Sequence, residues 1–217
     1  MEYVKICGLK NTRDIEICIE QGADAIGFIY NVPDSPRNLE KQKLKNIVSR
    51  IKNNILTVIV SKYSDISELK NIMKEFHVDL FQIHIKFDLK ELDNINSALR
   101  NKIIVALKIN QSNKKQIIEL INNYQEQFFA FLIDNSEGHG TNFDFDLIKE
   151  ILEKTNEARI ILAGGIDIDN AEKIIKDLNP YGIDVSSSLE IEKGVKDPKK
   201  IKEFLIKIKE LKNFKRD

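Results

Sequence analysis

The stretch RIILAGGIDIDNAEKIIKDLNPYGIDVSSS, residues 159–188, decides the fold because it contains a complete strand–helix–strand unit. An apolar run, RIILA, ends in two glycines, and a stretch with helically spaced apolar residues follows. A second run, GIDVS, then leads into hydroxyl-bearing residues. Continuous apolar runs predict strands buried on both faces, and strands joined through a helix are expected to be parallel.

The same unit recurs from one end of the chain to the other. Apolar runs occupy residues 3–7, 25–29, 55–60, 80–84, 103–107, 129–133, 159–163 and 182–186. Stretches with helical spacing occupy residues 12–21, 39–52, 65–76, 88–100, 112–126, 144–155, 169–178 and 198–211. Since no flexible linker divides these units, we expect a single-domain (β/α)8 TIM barrel over residues 1–217. The alternative is an open doubly wound sheet, although no GxGxxG follows the first run.

Composition limits the classes of partner. The chain has 217 residues and 42% apolar content, enough for one substantial core. Lys plus Arg and Asp plus Glu number 34 each, so no overall field attracts nucleic acid or an anionic membrane, and any anion site must be local. The start, MEYVKICGLKN, lacks the pattern of an export signal, and no apolar run reaches the length of a membrane span. We therefore expect a soluble cytoplasmic protein.

The cysteines and histidines do not suggest a metal centre. Cys7 and Cys18 are too few for a disulfide framework and lack the spacing of zinc ligands. The three histidines lie on different segments and form no HExxH motif. We expect no bound metal.

In a barrel of this kind the chemistry lies where the strands end at their carboxyl side. Gly164 and Gly165 follow the seventh run, and Ser186, Ser187 and Ser188 follow the eighth. Glycines let backbone N–H groups approach an oxyanion, and the loops after strands 7 and 8 are the usual phosphate seat of the fold. The pattern favours a small phosphorylated metabolite, and the structural alternative is a tight turn followed by ordinary helix capping.

Three further strand-end residues could carry proton chemistry and substrate recognition. Cys7 ends the first run and Asp134 the sixth, so one could act as base and the other as acid if both face the barrel mouth. Arg37 lies in a proline-braced loop, from which it could receive a substrate carboxylate. Each residue also has a structural explanation: Cys7 as a small buried hydrophobe, Asp134 as a turn or cap residue, and Arg37 as a surface residue. His84, in the fourth run, could equally be a satisfied core histidine.

Several motifs, taken in order, carry a resemblance to a known family. They are KICGLKNTRDI, GADAIGF followed by SPRN, FQIH, LID with GHGTNFDF, LAGGI, and DVSSSLE with GVKDP. Over nearly its whole length the chain resembles phosphoribosylanthranilate isomerase of tryptophan biosynthesis. The resemblance implies a TIM barrel that converts N-(5'-phosphoribosyl)anthranilate into 1-(2-carboxyphenylamino)-1-deoxyribulose 5-phosphate. This is an Amadori rearrangement by an aldose–ketose isomerase without a cofactor.

The resemblance also implies roles for individual residues. Cys7 in KICG matches the general base, Asp134 in LID the general acid, and Arg37 in SPR the arginine that receives the anthranilate carboxylate. The phosphate-binding matches are Gly164, Gly165, Ser186 and Ser187, and the polar pocket positions are Gln82, His84 and Asp184. The implied partner is a small phosphorylated substrate, and the sequence leaves monomer and homodimer open.

Some positions depart from the family pattern. Ile85 stands where the family has glycine, Thr141 where it has lysine, and Ser188 where it has glycine, so loop closure and phosphate contacts are the features affected. Another phosphosugar barrel, such as an indole-glycerol-phosphate synthase or a histidine-pathway isomerase, is an alternative enzyme. The pairing of Cys7 with Asp134 argues against both. A barrel that binds ligand without turnover is the non-enzymatic alternative.

Overall fold

The computed structural model describes residues 1–51, 54–63, 65–85, 89–134, 143–155 and 157–213. Its main strands fall at the positions of the apolar runs. They are β1 Tyr3–Cys7, β2 Ala25–Tyr30, β3 Leu56–Tyr63, β4 Leu80–Ile85, β5 Ile103–Lys108, β6 Ala130–Asp134, β7 Ile160–Ala163 and β8 Gly182–Val185. The departure at Ile85 is thus the last residue of β4, whereas Thr141 and the glycine loop around it lie outside the described residues.

Helices follow the strands. They are α1 Thr12–Glu20, α2 Lys41–Val48, α3 Ile66–Glu75, α4 Ser97–Arg100, α5 Lys114–Tyr124, α6 Phe145–Lys154, α7 Ala171–Lys173 and α8 Pro198–Asn213. Several begin at the residues that favour capping: the side chains of Asn11 and Asp65 accept backbone N–H bonds at the starts of α1 and α3. Among the described residues, no helix is both long and apolar enough to cross a membrane.

The strands form a closed parallel ring. Each main strand pairs in parallel with the next, and β1 also pairs with β8, with Ile6 opposite Val185. On its other side β1 pairs with β2, where Cys7 lies opposite Gly27. The predicted TIM barrel is therefore confirmed, and the open doubly wound sheet is wrong.

Side chains alternate between the inside of the ring and the layer under the helices, because successive residues of a strand point to opposite faces. On β1, Val4 and Ile6 belong to the large core between strands and helices. Tyr3 and Cys7 belong to the smaller cluster inside the barrel, together with residues such as Leu132 of β6. The last inward position of a strand therefore faces the barrel mouth.

Three segments differ from the expected pattern. Within residues 169–178, the three-residue α7 continues as a π-helix over Ile174–Leu178. Residues 88–100 were expected to form one helix, but the chain forms a 3-10 helix at Leu89–Asn94 before the four-residue α4. Its buried residues Leu89 and Leu92, with Ile95 directly after it, recur every third position, which suits a helix with three residues per turn. After β8, a short 3-10 helix at Ser187–Leu189 leads into an antiparallel hairpin, Glu190–Glu192 with Val195–Lys196, that the sequence patterns did not predict.

Candidate active site

The thiol of Cys7 lies at the carboxyl end of β1, almost fully buried beneath the barrel mouth. Burial raises the pKa of this thiol above its ordinary value. The positive charges of Lys5 and Lys196 act in the opposite direction, while Asp184 adds to the increase. The Ser186 hydroxyl donates a hydrogen bond of 3.1 Å to the Cys7 carbonyl oxygen, which ties the end of β1 to the end of β8.

The residue after the thiol, Gly8, has a φ of 81°, in the left-handed region that favours glycine. A Cβ atom at this position would lie 2.6 Å from Cδ of Arg37 and 3.3 Å from Oγ of Ser186. Gly8 therefore provides the space through which the Arg37 side chain reaches the site.

Asp134 ends β6, beside Lys108 of β5 and Ala163 of β7, and its side chain is half-buried. His84 lies on β4 at the same end of the barrel. Burial lowers the pKa of His84 to about 4, although the charge of Asp134 acts in the opposite direction. The imidazole is therefore neutral at pH 7 and offers hydrogen bonds without a positive charge.

Arg37 is held by a carboxylate of the unpredicted hairpin. Its Nε and Nη2 donate to the two carboxylate oxygens of Glu190 at 2.6 and 2.8 Å, a bidentate geometry. Glu190 also accepts from Lys196 Nζ at 3.0 Å and from the backbone N–H of Gly194 at 2.9 Å. Burial alone would raise the pKa of Glu190, but these hydrogen bonds lower it to about 2. The carboxylate therefore stays ionised and fixes the guanidinium.

The predicted phosphate segments lie side by side after β7 and β8. Gly164 and Gly165 have φ values of 85° and 68°, a conformation that turns successive backbone N–H groups toward one side. The hydroxyl of Ser188 donates to the carbonyl of Ile166 at 2.6 Å and so joins the two loops. At a position where the resemblance implies glycine, this chain thus has a side chain that braces the two predicted phosphate segments.

All ten predicted site residues line one cavity of about 210 Å³ at the carboxyl ends of the strands. They are Cys7, Arg37, Gln82, His84, Asp134, Gly164, Gly165, Asp184, Ser186 and Ser187. Two larger cavities, of about 690 and 550 Å³, include residues near the start of β1 and next to β8, such as Glu2 and Tyr181. Neither of these cavities contains Cys7 or Asp134, so volume is a poor guide to the chemistry here.

Sequence reasoning missed three charged residues of the site. All three are buried, and each forms a hydrogen bond with a residue that lines the cavity. Lys5 donates to Asp184, Glu190 accepts from Arg37, and Lys196 donates to the carbonyl of Ser186. Lys5 could have been found, because it lies two positions before Cys7 in YVKIC and so faces the same side of β1. Glu190 and Lys196 carried no such signal, since the hairpin that buries them was not predicted. Within the described ranges, no group of three or more His, Cys, Asp or Glu residues could hold a metal ion.

Comparison with known proteins points to one family. The family model for N-(5'-phosphoribosyl)anthranilate (PRA) isomerase matches residues 4–207. The N-(5'-phosphoribosyl)anthranilate isomerase of Clostridium acetobutylicum is 31% identical over 217 residues, covering 98% of this chain and 100% of the relative.

Solved structures agree with that match. A phosphoribosylanthranilate isomerase in complex with reduced 1-(o-carboxyphenylamino)-1-deoxyribulose 5-phosphate is 27% identical, with a TM-score of 0.79 and coverage of 97% of this chain and 100% of the other. A monomeric form of the dimeric isomerase of Thermotoga maritima is 26% identical, with a TM-score of 0.80 and the same coverage. The chain therefore belongs to the N-(5'-phosphoribosyl)anthranilate isomerase family.

Proposed function

We propose that the chain performs the family's Amadori rearrangement by general acid–base catalysis, with Cys7 as the base and Asp134 as the acid. The observation that carries this proposal is the lining of a single cavity by the thiol of β1, the carboxyl group of β6, Arg37 and the glycine and serine segments. A thiol and a carboxyl group on separate strands of one ring can serve the ring oxygen and C2 of one sugar in sequence.

The acid acts first. Protonated Asp134 gives its proton to the furanose ring oxygen, the C1–O bond breaks toward that oxygen, and the anilino nitrogen lone pair forms an iminium with C1. The positive charge on this iminium acidifies the hydrogen on C2. Asp134 must therefore enter the cycle protonated.

The base acts second. The Cys7 thiolate removes the C2 proton, the released electron pair forms the C1–C2 double bond, and the nitrogen regains its lone pair. The resulting enolamine becomes the ketone when C1 gains a proton and the C2 hydroxyl loses one. The steps are proton transfers and the opening of the ring C1–O bond, and the proposed reaction uses no cofactor and no metal. Cys7 is almost fully buried, and exclusion of water around it would protect the reactive intermediate.

Substrate recognition is proposed for the remaining lining residues. The bonds of Arg37 to Glu190 use Nε and one hydrogen of Nη2, so among the described contacts the edge formed by Nη1 and the second Nη2 hydrogen is left for the anthranilate carboxylate. Backbone N–H groups at Gly164 and Gly165, with the hydroxyls of Ser186 and Ser187, would bind the phosphate. Gln82, His84 and Asp184 would contact the ribose part of the substrate.

At the level of the whole molecule we propose a cytoplasmic, single-domain protein spanning residues 1–217. It would bind a small phosphorylated substrate but neither nucleic acid nor membranes, which is consistent with its balanced charge. A monomer and a homodimer are both compatible with the family, since the Thermotoga maritima relative is described as dimeric. Sedimentation equilibrium at several protein concentrations distinguishes the two states.

A coupled fluorescence assay tests the function. Phosphoribosylanthranilate is generated in situ from anthranilate, and its consumption is followed after the chain is added. We expect enzyme-dependent consumption that scales with protein concentration. Saturable binding of the product analogue without turnover would instead support the ligand-binding barrel and overturn the proposed activity.

A further inference from the structure

Lys5 is a charged side chain at the centre of the barrel, below the proposed base. Its side chain is 0% exposed, and its Nζ lies 2.6 Å from Oδ2 of Asp184 on β8. An isolated ammonium in such a place would cost several kcal/mol, so a lysine here requires partners. Burial lowers the pKa of Lys5, but Asp184 and Cys7 raise it above its usual value, which keeps the ammonium charged.

The ammonium and the thiol converge on the same point of the neighbouring strand. Gly27 of β2 lies opposite Cys7, and a Cβ atom there would lie 3.0 Å from Sγ of Cys7. The same Cβ would lie 2.9 Å from Cε and 3.2 Å from Nζ of Lys5. The missing side chain of Gly27 thus leaves a space that the head of Lys5 and the sulfur of Cys7 both border.

The charges around the sulfur favour one more negative charge. Titratable groups reach this region from most of the strands and from the hairpin. They are Tyr3 and Lys5 on β1, Asp184 on β8, Glu190 and Lys196 of the hairpin, Arg37 after β2, Lys62 on β3, His84 on β4, Lys108 on β5 and Asp134 on β6. The cations Lys5, Lys196 and Arg37 face the carboxylates Asp184 and Glu190, and His84 is neutral at pH 7. Lys62 and Lys108 add further positive charge beside His84, so cations outnumber carboxylates around the site and a thiolate at Cys7 is favoured.

We propose that Lys5 is a positioning residue for the reaction, whose ammonium, shared between Asp184 and Cys7, stabilises the Cys7 thiolate that removes the substrate proton. Lys5 does not touch the substrate, because it is fully buried below Cys7 and does not line the cavity. Lys196 supports the same charge from the hairpin side, but its Nζ is bonded to Ser186 and Glu190. The inference rests on the proposed role of Cys7 and adds the group that makes a buried thiol usable as a base.

The test is a titration of the thiol in the whole protein. The difference in ultraviolet absorbance between each protein and its Cys7→Ser counterpart is followed with pH, so that tyrosines and Cys18 cancel. In Lys5→Met we expect the thiolate midpoint to rise by about one pH unit or more, the effect of removing an opposite charge within hydrogen-bonding distance. The pH profile of kcat/KM should shift in the same direction. Lys62→Met removes an exposed lysine at the end of β3 and should leave the midpoint unchanged.

A second variant covers the case in which Lys5→Met does not fold. Lys5→Met combined with Asp184→Asn removes both buried charges, and such neutral replacements are tolerated better than a lone buried charge. Its midpoint should still rise, because Lys5 acts on the sulfur more strongly than Asp184 does. An unchanged midpoint in the folded variant overturns the role of Lys5. Full activity of Cys7→Ser would instead overturn the proposed base, and with it the proposed function, whatever the titration shows.

Discussion

Gly8→Ala tests the packing between the residue after the thiol and the arginine proposed to receive the substrate. The new Cβ would lie 2.6 Å from Cδ of Arg37, whereas carbon atoms pack at about 3.5–4.0 Å, so the side chain must move by about 1 Å. Because Glu190 fixes the guanidinium through two bonds, the arginine cannot move freely. A displacement of this size lowers catalytic efficiency by about a hundredfold when it affects a positioned group.

Gly22→Ala is the matched control. Gly22 has a φ of 83°, close to that of Gly8, yet a Cβ atom there would meet nothing within 4 Å. Both variants should lose about 1–2 kcal/mol from the left-handed conformation, a decrease in Tm of roughly 2–8 °C for a chain of this size. Gly8→Ala should lose more, because its Cβ also crowds Arg37. Only Gly8→Ala should lower kcat/KM, and chiefly by raising KM, since Arg37 is expected to bind the carboxylate equally in ground and transition states.

A double-mutant cycle with Arg37→Ala decides whether the effect passes through the arginine. If it does, Gly8→Ala should cause little further loss of kcat/KM once Arg37 is truncated. An undiminished hundredfold loss in the Arg37→Ala background would refute the reasoning, and so would an equal loss of activity in Gly22→Ala.

The remaining predictions concern the proton-transfer groups and the buried hairpin carboxylate. Cys7→Ser and Asp134→Asn should each lower kcat by at least about a hundredfold with unchanged circular dichroism, and near-normal rates in both would remove these residues from the mechanism. Glu190→Gln should destabilise the fold by about 3 kcal/mol at pH 7, because it leaves the buried Lys196 without a counter-charge. The folded pKa of Glu190 is lowered to about 2, so the loss of unfolding free energy should have its whole value above about pH 4.3 and disappear as pH falls toward 2. Urea unfolding at several pH values measures this loss, and a loss that does not change with pH would contradict the prediction. The NMR titration of His84 should have its midpoint near pH 4, and a midpoint near 6.5 would show that the imidazole is solvated. Because the unfolded chain protonates this histidine near pH 6.5, the folded state should lose stability as pH falls from about 6.5 to 4.

Much of the architecture could be predicted from local patterns. The apolar run YVKIC coincides with β1, and its alternation places Cys7 on the inner face, where Lys5 must also lie. The segment around Leu92 was harder, because apolar residues every third position are compatible with either an α-helix or a 3-10 helix. The short strands of the hairpin gave no periodic signal at all, so the partner that holds Arg37 could not be predicted.

By itself, the sequence determined which segments become strands and helices and which residues stand at the strand ends, because hydrophobic periodicity and turn residues act over a few positions. Only the tertiary structure decided which of those residues meet. Lys5 and Asp184 bond across 179 residues of chain, and Arg37 and Glu190 across 153. Ring closure and the hairpin set these contacts, and the charge of a buried group depends on such distant partners rather than on its sequence neighbours.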